Sequence, residues 1–355
     1  MGQIAKDLLL VGSIPMETVE EVLRTCGRAI GYFVPCLPDG EVGDRSWWHN
    51  YLAYHFYHSH PAISTVQRPA PVDGVEQWKP KSLTDMWLFK IKPGVKEMTF
   101  NDLGYATEAI NSYGIFRRLR EKGDIPAGVR FQVCLPLTGS ALDTFFHDPA
   151  DAPIVRPAYE RAILHEIEKM LEKIPAQDLA IQWDVCVEVL DLEDRLPWTP
   201  QDDKYARNTA PIARLSPHIP TEVVLGYHWC YGTLGGWPMV RPQDLTLCVQ
   251  LSNTAVAQSG RRVDFVHMPA PRHCEEAYFA PLRNLKVGDT RVYLGLVHDT
   301  DGIEGFRERL AIAKKYLRGF GVGSVCGYGR RPPEDMPRVL EVHAAAAEEL
   351  RRQGV

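Results

Sequence analysis

The chain has no segment that approaches about eighteen consecutive apolar residues, the length that a membrane-spanning helix needs. Its N-terminal stretch, MGQIAKDLLLVGSIPM, contains one lysine and an apolar run too short for the core of a secretory signal peptide. Membrane partners and secretion are therefore not expected, and the sequence predicts a cytoplasmic protein.

The charged residues form no basic block. The chain carries 40 Lys and Arg against 45 Asp and Glu, a net charge of −5, with both signs scattered along its length. Nucleic acids and anionic membranes bind concentrated positive charge, so neither is an expected partner. Internal repeats, low-complexity segments and linker-like composition are also missing. With 355 residues and 45% hydrophobic content, the chain can build a large core.

A disulfide framework is not expected either. The eight cysteines are widely spaced in a long chain without a secretion signal, which indicates free thiols. Their positions are Cys26, Cys36, Cys134, Cys186, Cys230, Cys248, Cys274 and Cys326.

Strand-like apolar runs alternate with amphipathic helical segments. The predicted strands are Leu8–Val11, Tyr32–Pro35, Met86–Ile91, Val129–Leu135, Leu179–Val185, Val223–His228, Val263–Met268, Arg291–Val297 and Val322–Val325. The predicted helices are Met16–Ile30, Asp102–Glu121, Pro157–Ile174, Pro242–Gln258, Gly302–Gly319 and Glu334–Arg352. Continuous apolar strands separated by helices are typical of a parallel sheet that is buried on both faces.

This alternation predicts an α/β fold, a single (β/α)8 TIM barrel over residues 1–355. Met86–Ile91 alternates apolar and charged residues, so we assign it to a hairpin off the barrel. Residues 43–84, rich in aromatic residues, Pro and His, are predicted to form a loop insertion near the barrel mouth.

Polar residues collect at the predicted strand ends, where the active site of such a barrel is built. His228 and Cys230 are two residues apart, so their side chains leave the same face of a strand and supply half of a tetrahedral zinc site. Cys326 ends a second strand. Ser13, Glu41, Asp184, His267 and His298 stand at the ends of others.

Six motifs, in order along the chain, resemble the catalytic barrel of cobalamin-independent methionine synthase, in the superfamily shared with uroporphyrinogen decarboxylase. They are LLLVGSIP, Asp39–Glu41, Ile181–Asp184, His228–Cys230, Cys326–Gly327 and LGLVHDTDG. The resemblance implies zinc bound by His228, Cys230 and Cys326, and His298 as the catalytic histidine. It also implies that Ser13, Glu41 and Asp184 contact an amino-acid substrate, and that Lys92 lies in a hairpin near the methyl donor.

The chain departs from the family pattern at two motifs, and we read it as a divergent member that holds only the core barrel. The family's glutamate zinc ligand aligns with about Pro269, so His267, or alternatively Cys274, Glu275 or Glu276, is the candidate replacement. The family's Asp-Glu-Pro has become Asp184-Val185-Cys186, which argues against the usual mode of folate binding.

The predicted function is zinc-dependent transfer of a methyl or alkyl group to a thiol, with His298 moving a proton. The substrates are then small molecules, a thiol acceptor and a methyl donor. The alternative is a zinc hydrolase or lyase that cleaves a C–C or ester-like bond of an aromatic carbonyl compound. A metal-free decarboxylase is a third reading, and the sequence is compatible with a homo-oligomer.

The aromatic and histidine-rich run at residues 47–61 has several interpretations. Its aromatic residues, with Trp229 and Trp237, are candidates to line a pocket for a planar substrate; a hydrophobic plug or a dimer contact is the alternative. His58 and His60 are a weaker candidate for a second metal site. Cys134 and Cys186 are interpreted as core residues.

Overall fold

The computed structural model describes residues 6–354; residues 1–5 and 355 of the predicted domain, including the start of the N-terminal stretch, lie outside it. Eight parallel strands form one sheet in the order β1-β10-β9-β8-β7-β6-β5-β2. They are β1 (Leu8–Leu9), β2 (Cys36–Pro38), β5 (Arg130–Pro136), β6 (Leu179–Val185), β7 (Val224–Trp229), β8 (Phe265–Pro269), β9 (Arg291–Val297) and β10 (Gly321–Ser324). The remaining two strands, β3 (Ile63–Gln67) and β4 (Leu88–Ile91), pair with each other as an antiparallel hairpin.

The two ends of the sheet order meet. The amide of Leu8 donates to the carbonyl of Phe33 at 2.9 Å, and the amide of Ile14 donates to Gly40 at 2.8 Å, just beyond β2. Inside the ring, Gln182 Nε2 donates to the carbonyl of Val11 at 2.6 Å. The sheet is therefore a nearly closed barrel, and the prediction of a (β/α)8 barrel is confirmed.

Helices lie around the outside of the barrel and at its mouth. They are α1 (Val19–Ile30), α2 (His49–Leu52), α3 (Tyr105–Glu121), α4 (Thr138–Leu142), α5 (Ala152–Lys173), α6 (Val187–Leu192), α7 (Lys204–Leu215), α8 (Thr246–Gln258), α9 (Glu276–Phe279), α10 (Gly302–Ala313) and α11 (Met336–Arg352). The start of α1 illustrates how the sequence determines where a helix begins. Thr18 Oγ1 accepts a hydrogen bond from the amide of Glu21 at 3.1 Å and caps the helix. Within residues 6–354, no helix has both the length and the apolar character required to cross a bilayer.

The inner faces of three neighbouring strands become polar towards the barrel mouth. Gln182 and Asp184 alternate along β6, and Asp184 pairs across the sheet with His228 of β7, which pairs with His267 of β8. Below them, Gly226 leaves room for the Phe265 ring, because a Cβ there would lie 2.1 Å from that ring. The apolar residues thus fill the bottom of the barrel, and the polar ones stand together at its carboxyl end.

Two predicted elements differ from the structure. The run Tyr32–Pro35 is not a strand: the amide of Phe33 bonds to Ile30 at 2.8 Å and closes the last turn of α1, so pairing with β5 begins at Cys36. Helix α7 was not predicted, because it contains Pro211, which normally ends a helix. As predicted, residues Leu88–Ile91 lie in a hairpin outside the barrel.

Candidate functional site

A cavity opens at the carboxyl end of the barrel. Strand ends and the loops after them supply one side of its lining, and the insertion of residues 43–84 supplies the other. Six of the predicted site residues line it: Ser13, Glu41, Asp184, His228, Cys230 and Cys326. The fold thus brings together residues that are as many as 313 positions apart, from Ser13 to Cys326 (326 minus 13).

Three of these residues form a group suited to a metal ion. The ligand atoms of His228, Cys230 and Cys326 all lie within 4.8 Å of one another. The two Sγ atoms are 3.5 Å apart. His228 and Cys230 meet because alternate residues of β7 face the same side, and Cys326 joins them from the loop directly after β10.

A second histidine holds the His228 ring in place. The Nδ1 atoms of His228 and His267 are 2.8 Å apart, and both rings are buried. Among the described residues, Nε2 of His228 has no hydrogen-bond partner. Burial lowers the pKa of His267 to about 3, and burial followed by the neighbouring His267 lowers that of His228 well below its usual value. Both rings are neutral at pH 7, as metal binding requires of a ligating imidazole.

The donor set fits zinc. One neutral imidazole and two thiols are ligands that zinc prefers, and three protein ligands with an open fourth position are typical of catalytic zinc sites. The hydrogen bond with Cys186, followed by burial among other causes, raises the pKa of the Cys230 thiol well above its usual value. A metal ion bound here would therefore replace protons on these thiols.

None of the candidate replacements for the missing glutamate joins the three ligand residues. Cys274 and Glu275 line a different cavity, and exposed Glu276 pairs with Lys315 at 2.6 Å. His267 contacts His228 and stays outside the group of three. In the described part of the chain, the metal group therefore has three members.

A carboxylate pair stands beside the metal group. Ligand atoms of Glu41, Asp184 and Cys134 lie within 4.8 Å of one another. Burial, followed by the charges of Asp184 and Asp39, raises the pKa of Glu41 well above its usual range. Burial likewise raises the pKa of Asp184, although Gln182 Nε2 donates to its Oδ1 at 2.7 Å. Two buried carboxyl groups this close share protons or bind a cation.

Glu41 is held in an unusual backbone conformation. Its φ of 48° lies in the left-handed region, directly after Gly40 at 82°. A Cβ at Gly12 would be in ordinary contact with Glu41 Oε2, at 3.7 Å, and closer to Cys134 Sγ, at 3.3 Å. Strain of this kind in a residue that is not glycine persists where function or packing requires it.

The insertion supplies an aromatic wall. Trp47, Trp48, His49 and Asn50 line the cavity, and Trp48 packs against the cluster that contains Cys186 and Cys230. Trp48 has a φ of 43°, again in the left-handed region. The predicted aromatic lining is therefore present for the two tryptophans. In contrast, Tyr57 is buried in the core and Tyr54 stacks on Trp78 outside the cavity.

Four predicted site residues do not line this cavity: His267, described above, and three others. His298 lines a neighbouring cavity, where its Nε2 lies 2.9 Å from the carbonyl of Ala270. Trp229 points outward, and its Nε1 donates to Ser252 Oγ at 2.8 Å. Lys92 is on the exposed hairpin and donates to the carbonyl of Pro61 at 2.7 Å.

Several residues at the site were not predicted to be functional. Cys186 lines the cavity and Cys134 lies with the carboxylate pair, although both were predicted as core residues. Thr144 and Arg330 also line the cavity. Arg330 lies four residues after Cys326, so its position near that motif indicated a place at the site. No sequence pattern indicates that Thr144 lies there. His58 and His60 of the insertion belong to no metal-ligand group within residues 6–354.

No protein-family model matches the chain, and no curated protein matches its sequence. Solved structures do match it. A B12-independent methionine synthase from Shewanella sp. W3-18-1, in complex with selenomethionine, aligns with a TM-score of 0.65 over 99% of both chains at 12% identity. The chain has the fold of that enzyme. A methyltransferase from Methanosarcina mazei aligns with a TM-score of 0.56 over 99% of this chain and 95% of that one, at 10% identity. The predicted likeness to methionine synthase barrels is confirmed for the fold.

Proposed function

We propose that this protein transfers a methyl or small alkyl group to the thiol of an amino-acid-like acceptor, with zinc as cofactor. The observation that carries the proposal is the placement of His228, Cys230 and Cys326 in one cavity with the carboxylate pair Glu41 and Asp184. Zinc, when bound, supplies a Lewis-acid centre that favours the thiolate form of an acceptor thiol.

The acceptor would be held by its amino group. Asp184 is buried, Glu41 is half-buried, and both line the cavity, so an ammonium group is the partner that would offset the charge of their carboxylates. Selenomethionine, the ligand of the Shewanella structure, is an amino acid with such a group. The fold similarity and the carboxylate pair together support an aminothiol such as homocysteine.

The residues around the metal group would orient it. His267 fixes the His228 ring through the Nδ1 contact of 2.8 Å, so that Nε2 faces the cavity. Such partners of a metal ligand set its tautomer and orientation. Val187, Leu190 and Met239 add apolar lining that keeps the site poor in water.

Proton transfer by His298 stays a prediction. Its ring lies in the neighbouring cavity, 6.3 Å from the Trp237 ring, on the far side of the loop that follows Cys230. Within the metal cavity, Glu41 and Asp184 are the carboxyl groups able to accept a proton.

Zinc content and thiol binding test the proposal. Purified protein should hold one zinc per chain, and homocysteine added to the zinc form should release about one proton as its thiol becomes a zinc ligand. X-ray absorption at the zinc edge should then report one additional sulfur ligand.

The matched variants separate the metal from the acceptor site. Cys230→Ser should lose zinc, whereas Asp184→Asn should keep zinc and bind homocysteine more weakly. If zinc binds but gains no sulfur ligand when homocysteine is added, that result would contradict methyl transfer to a thiol. It would favour a reaction of zinc-bound water.

A further inference from the structure

The neighbouring cavity at the barrel mouth, here called the His298 cavity, is bordered by four loops that follow strands of the barrel. Arg241 belongs to the loop after β7, Arg272 to the loop after β8, Asp299 to the loop after β9 and Arg331 to the loop after β10. Loops at the carboxyl ends of the strands carry the binding groups of this fold. No described residue lines both this cavity and the metal cavity, so the two are separate candidates for a ligand.

The protein itself pairs one of these arginines. Arg331 Nη1 and Nη2 donate to Asp299 Oδ1 and Oδ2 at 3.0 and 2.8 Å, and Arg331 also pairs with Asp335 at 2.6 Å. A two-point contact of this kind satisfies both carboxylate oxygens and two guanidinium nitrogens. Arg331 therefore has little capacity left for a ligand.

The other two arginines have no carboxylate partner. Within residues 6–354, Arg241 and Arg272 form no ion pair, and both are exposed and line the cavity. Arg272 is held by neutral neighbours: its Nε donates to His273 Nε2 at 3.1 Å, and its Nη1 donates to Thr300 Oγ1 at 3.2 Å. Guanidinium groups bind carboxylates through two parallel N–H donors, so these two side chains are available to an anion.

The charges that line the cavity leave an excess of one positive charge. Three arginines stand against two carboxylates, Asp299 and Glu275. His298 adds no charge at pH 7, because burial lowers its pKa to about 4. His273 accepts a hydrogen bond from Arg272, which requires an unprotonated ring nitrogen. A monoanion therefore matches the cavity better than a dianion or a cation.

An indole N–H completes the set of donors. Trp237 Nε1 is buried and has no hydrogen-bond partner among the described residues, and the Trp237 ring lies 6.3 Å from the ring of His298. A buried N–H without an acceptor destabilises the protein unless water or a ligand satisfies it. Val297, Val325 and Tyr328 add apolar lining. The cavity thus offers charged and neutral donors beside an apolar wall.

We propose that the His298 cavity binds the carboxylate of a small organic acid whose remaining part is apolar or aromatic. Arg241 and Arg272 would hold the carboxylate by charge-assisted hydrogen bonds, Trp237 Nε1 would donate a third, and the apolar part would lie against the apolar lining. This ligand is separate from the acceptor and the zinc of the proposed function. Because Trp237 belongs to the loop between the two cavities, a bound acid would also restrain that loop.

Benzoate tests the site, with benzamide as the uncharged compound of nearly the same shape. We expect benzoate to bind to the zinc-loaded protein at least about tenfold more tightly, since hydrogen bonds to a charged group are stronger than those to a neutral one. Calorimetry or ligand-observed NMR measures both dissociation constants. Equal binding of the two compounds, or no binding of benzoate at millimolar concentration, overturns the proposal.

Matched substitutions in the two cavities locate the bound carboxylate. Arg272→Gln should weaken benzoate binding by about tenfold, because it removes a charged donor and keeps a polar side chain. Arg330→Gln is the control, since it removes the same charge at the metal cavity and should leave benzoate binding unchanged. Equal weakening by both variants would report only a general effect of charge. That result, or weakening by Arg330→Gln alone, overturns the proposal.

The indole signal of Trp237 gives a readout at the expected hydrogen bond. In proton–nitrogen correlation spectra, the Nε1 proton of Trp237 should move downfield when benzoate binds. Trp237→Phe identifies this signal by its loss, and should weaken benzoate by roughly threefold to tenfold because one neutral donor is removed. An unshifted signal at saturating benzoate overturns the proposal. If Trp237→Phe fails to fold, unchanged binding by Arg272→Gln still does so.

Zinc separates this site from the metal cavity. Benzoate should bind equally to the zinc-loaded protein and to Cys230→Ser, which should lose zinc. Benzoate binding that requires zinc would place the carboxylate on the metal and overturn the proposal. A protein that binds neither zinc nor homocysteine, yet loses benzoate binding in Arg272→Gln, would retain this site and reject methyl transfer.

Discussion

The barrel mouth contains two neighbouring cavities, and they differ in how their polar groups are satisfied. In the His298 cavity, Arg331 forms ion pairs with Asp299 at 2.8 Å and Asp335 at 2.6 Å, and His298 bonds to a backbone carbonyl. Trp237 Nε1 is the exception there, because it has no partner among the described residues. In the metal cavity, His228 Nε2 and four other atoms of the lining all lack partners within residues 6–354: Trp48 Nε1, His49 Nδ1, Asn50 Oδ1 and Thr144 Oγ1.

This difference distinguishes polar groups whose hydrogen bonds are made within the protein from polar groups that remain available to bind a ligand. A paired arginine or a bonded histidine already has a hydrogen-bond partner within the protein, so its position gives no separate indication of a ligand. An unpaired buried atom lowers stability. Such atoms also occur outside the two cavities, at Trp183 Nε1 and His343 Nε2 for example, but among the described residues the metal cavity holds five of them. This concentration supports the proposal that the metal cavity is the site of chemistry, and a variant of His298 tests the contrast with the second cavity.

The largest expected effect contrasts one cysteine from each cavity. Cys326→Ser should reduce zinc affinity by more than about a hundredfold, because it removes a direct ligand, for which the loss exceeds that of an outer-shell partner. Cys274→Ser, in the His298 cavity, should leave zinc content unchanged. Elemental analysis and a competition titration with a chelator measure both variants, and circular dichroism checks that the barrel is folded.

Loss of zinc from Cys274→Ser would contradict the proposed difference between the two cavities, since it would make a residue of the second cavity a metal ligand. That result would also support Cys274 as the replacement for the missing glutamate ligand.

His298→Asn is the next prediction. If His298 moves a proton in the reaction, turnover should fall by about a hundredfold while zinc remains bound, which is the usual contribution of a general acid–base group. We expect this result, and it would mean that the loop bearing Trp237 moves during catalysis so that the two cavities join. Steady-state kinetics on the zinc-loaded variant measure it. Unchanged turnover would instead place His298 with the paired structural groups of its cavity.

A smaller effect is expected for His267. His267→Gln should weaken zinc binding by about 10- to 100-fold, because it disturbs a partner that orients a ligand without removing the ligand. His343→Gln is the control: His343 is a buried histidine bonded to the carbonyl of Val339 in α11, and it lines neither cavity. A loss of zinc equal to that of Cys326→Ser would make His267 a direct ligand.

The barrel and the metal group were predictable from the sequence because local patterns determine them. Apolar runs of one strand length, separated by amphipathic helices, indicate a parallel sheet, and His228 with Cys230 share a strand face by simple alternation. Cys326 was predicted as a metal ligand because it lies at the end of the last strand. Such assignments require only the alternation of side chains along a strand and the rule that active sites of this fold form at the carboxyl ends of the strands.

The rest of the site depends on tertiary packing that no local pattern reports. Trp229 stands between His228 and Cys230, the proposed metal ligands, and yet faces outward, where it stacks on Tyr227. Thr144 lies in a turn after α4 and enters the cavity only because the insertion packs against that turn. The separation of His298 from the metal group arises from the loop after Cys230, and the six motifs contain no information about that loop.

The smallest expected effect concerns the stability contributed by Glu41. Its usual carboxyl pKa is 4.5, and burial raises that value in the folded protein. Between these two pKa values the folded chain holds a proton that the unfolded chain has lost. The free energy of unfolding should therefore decrease as pH rises through that interval.

Glu41→Gln removes this titration, so the variant should be more stable than the wild type at pH 7, by on the order of 1 kcal/mol per unit of pKa shift. The two proteins should converge near pH 4, where Glu41 is mostly protonated in both states. Urea unfolding at a series of pH values measures the difference, with Glu172→Gln on the exposed side of α5 as the control. A variant that is less stable than the wild type at pH 7 and equal to it at pH 4 would mean that Glu41 is charged and paired in the fold. In that case its carboxylate would be satisfied like those of the His298 cavity, and the contrast between the two cavities would fail at this residue.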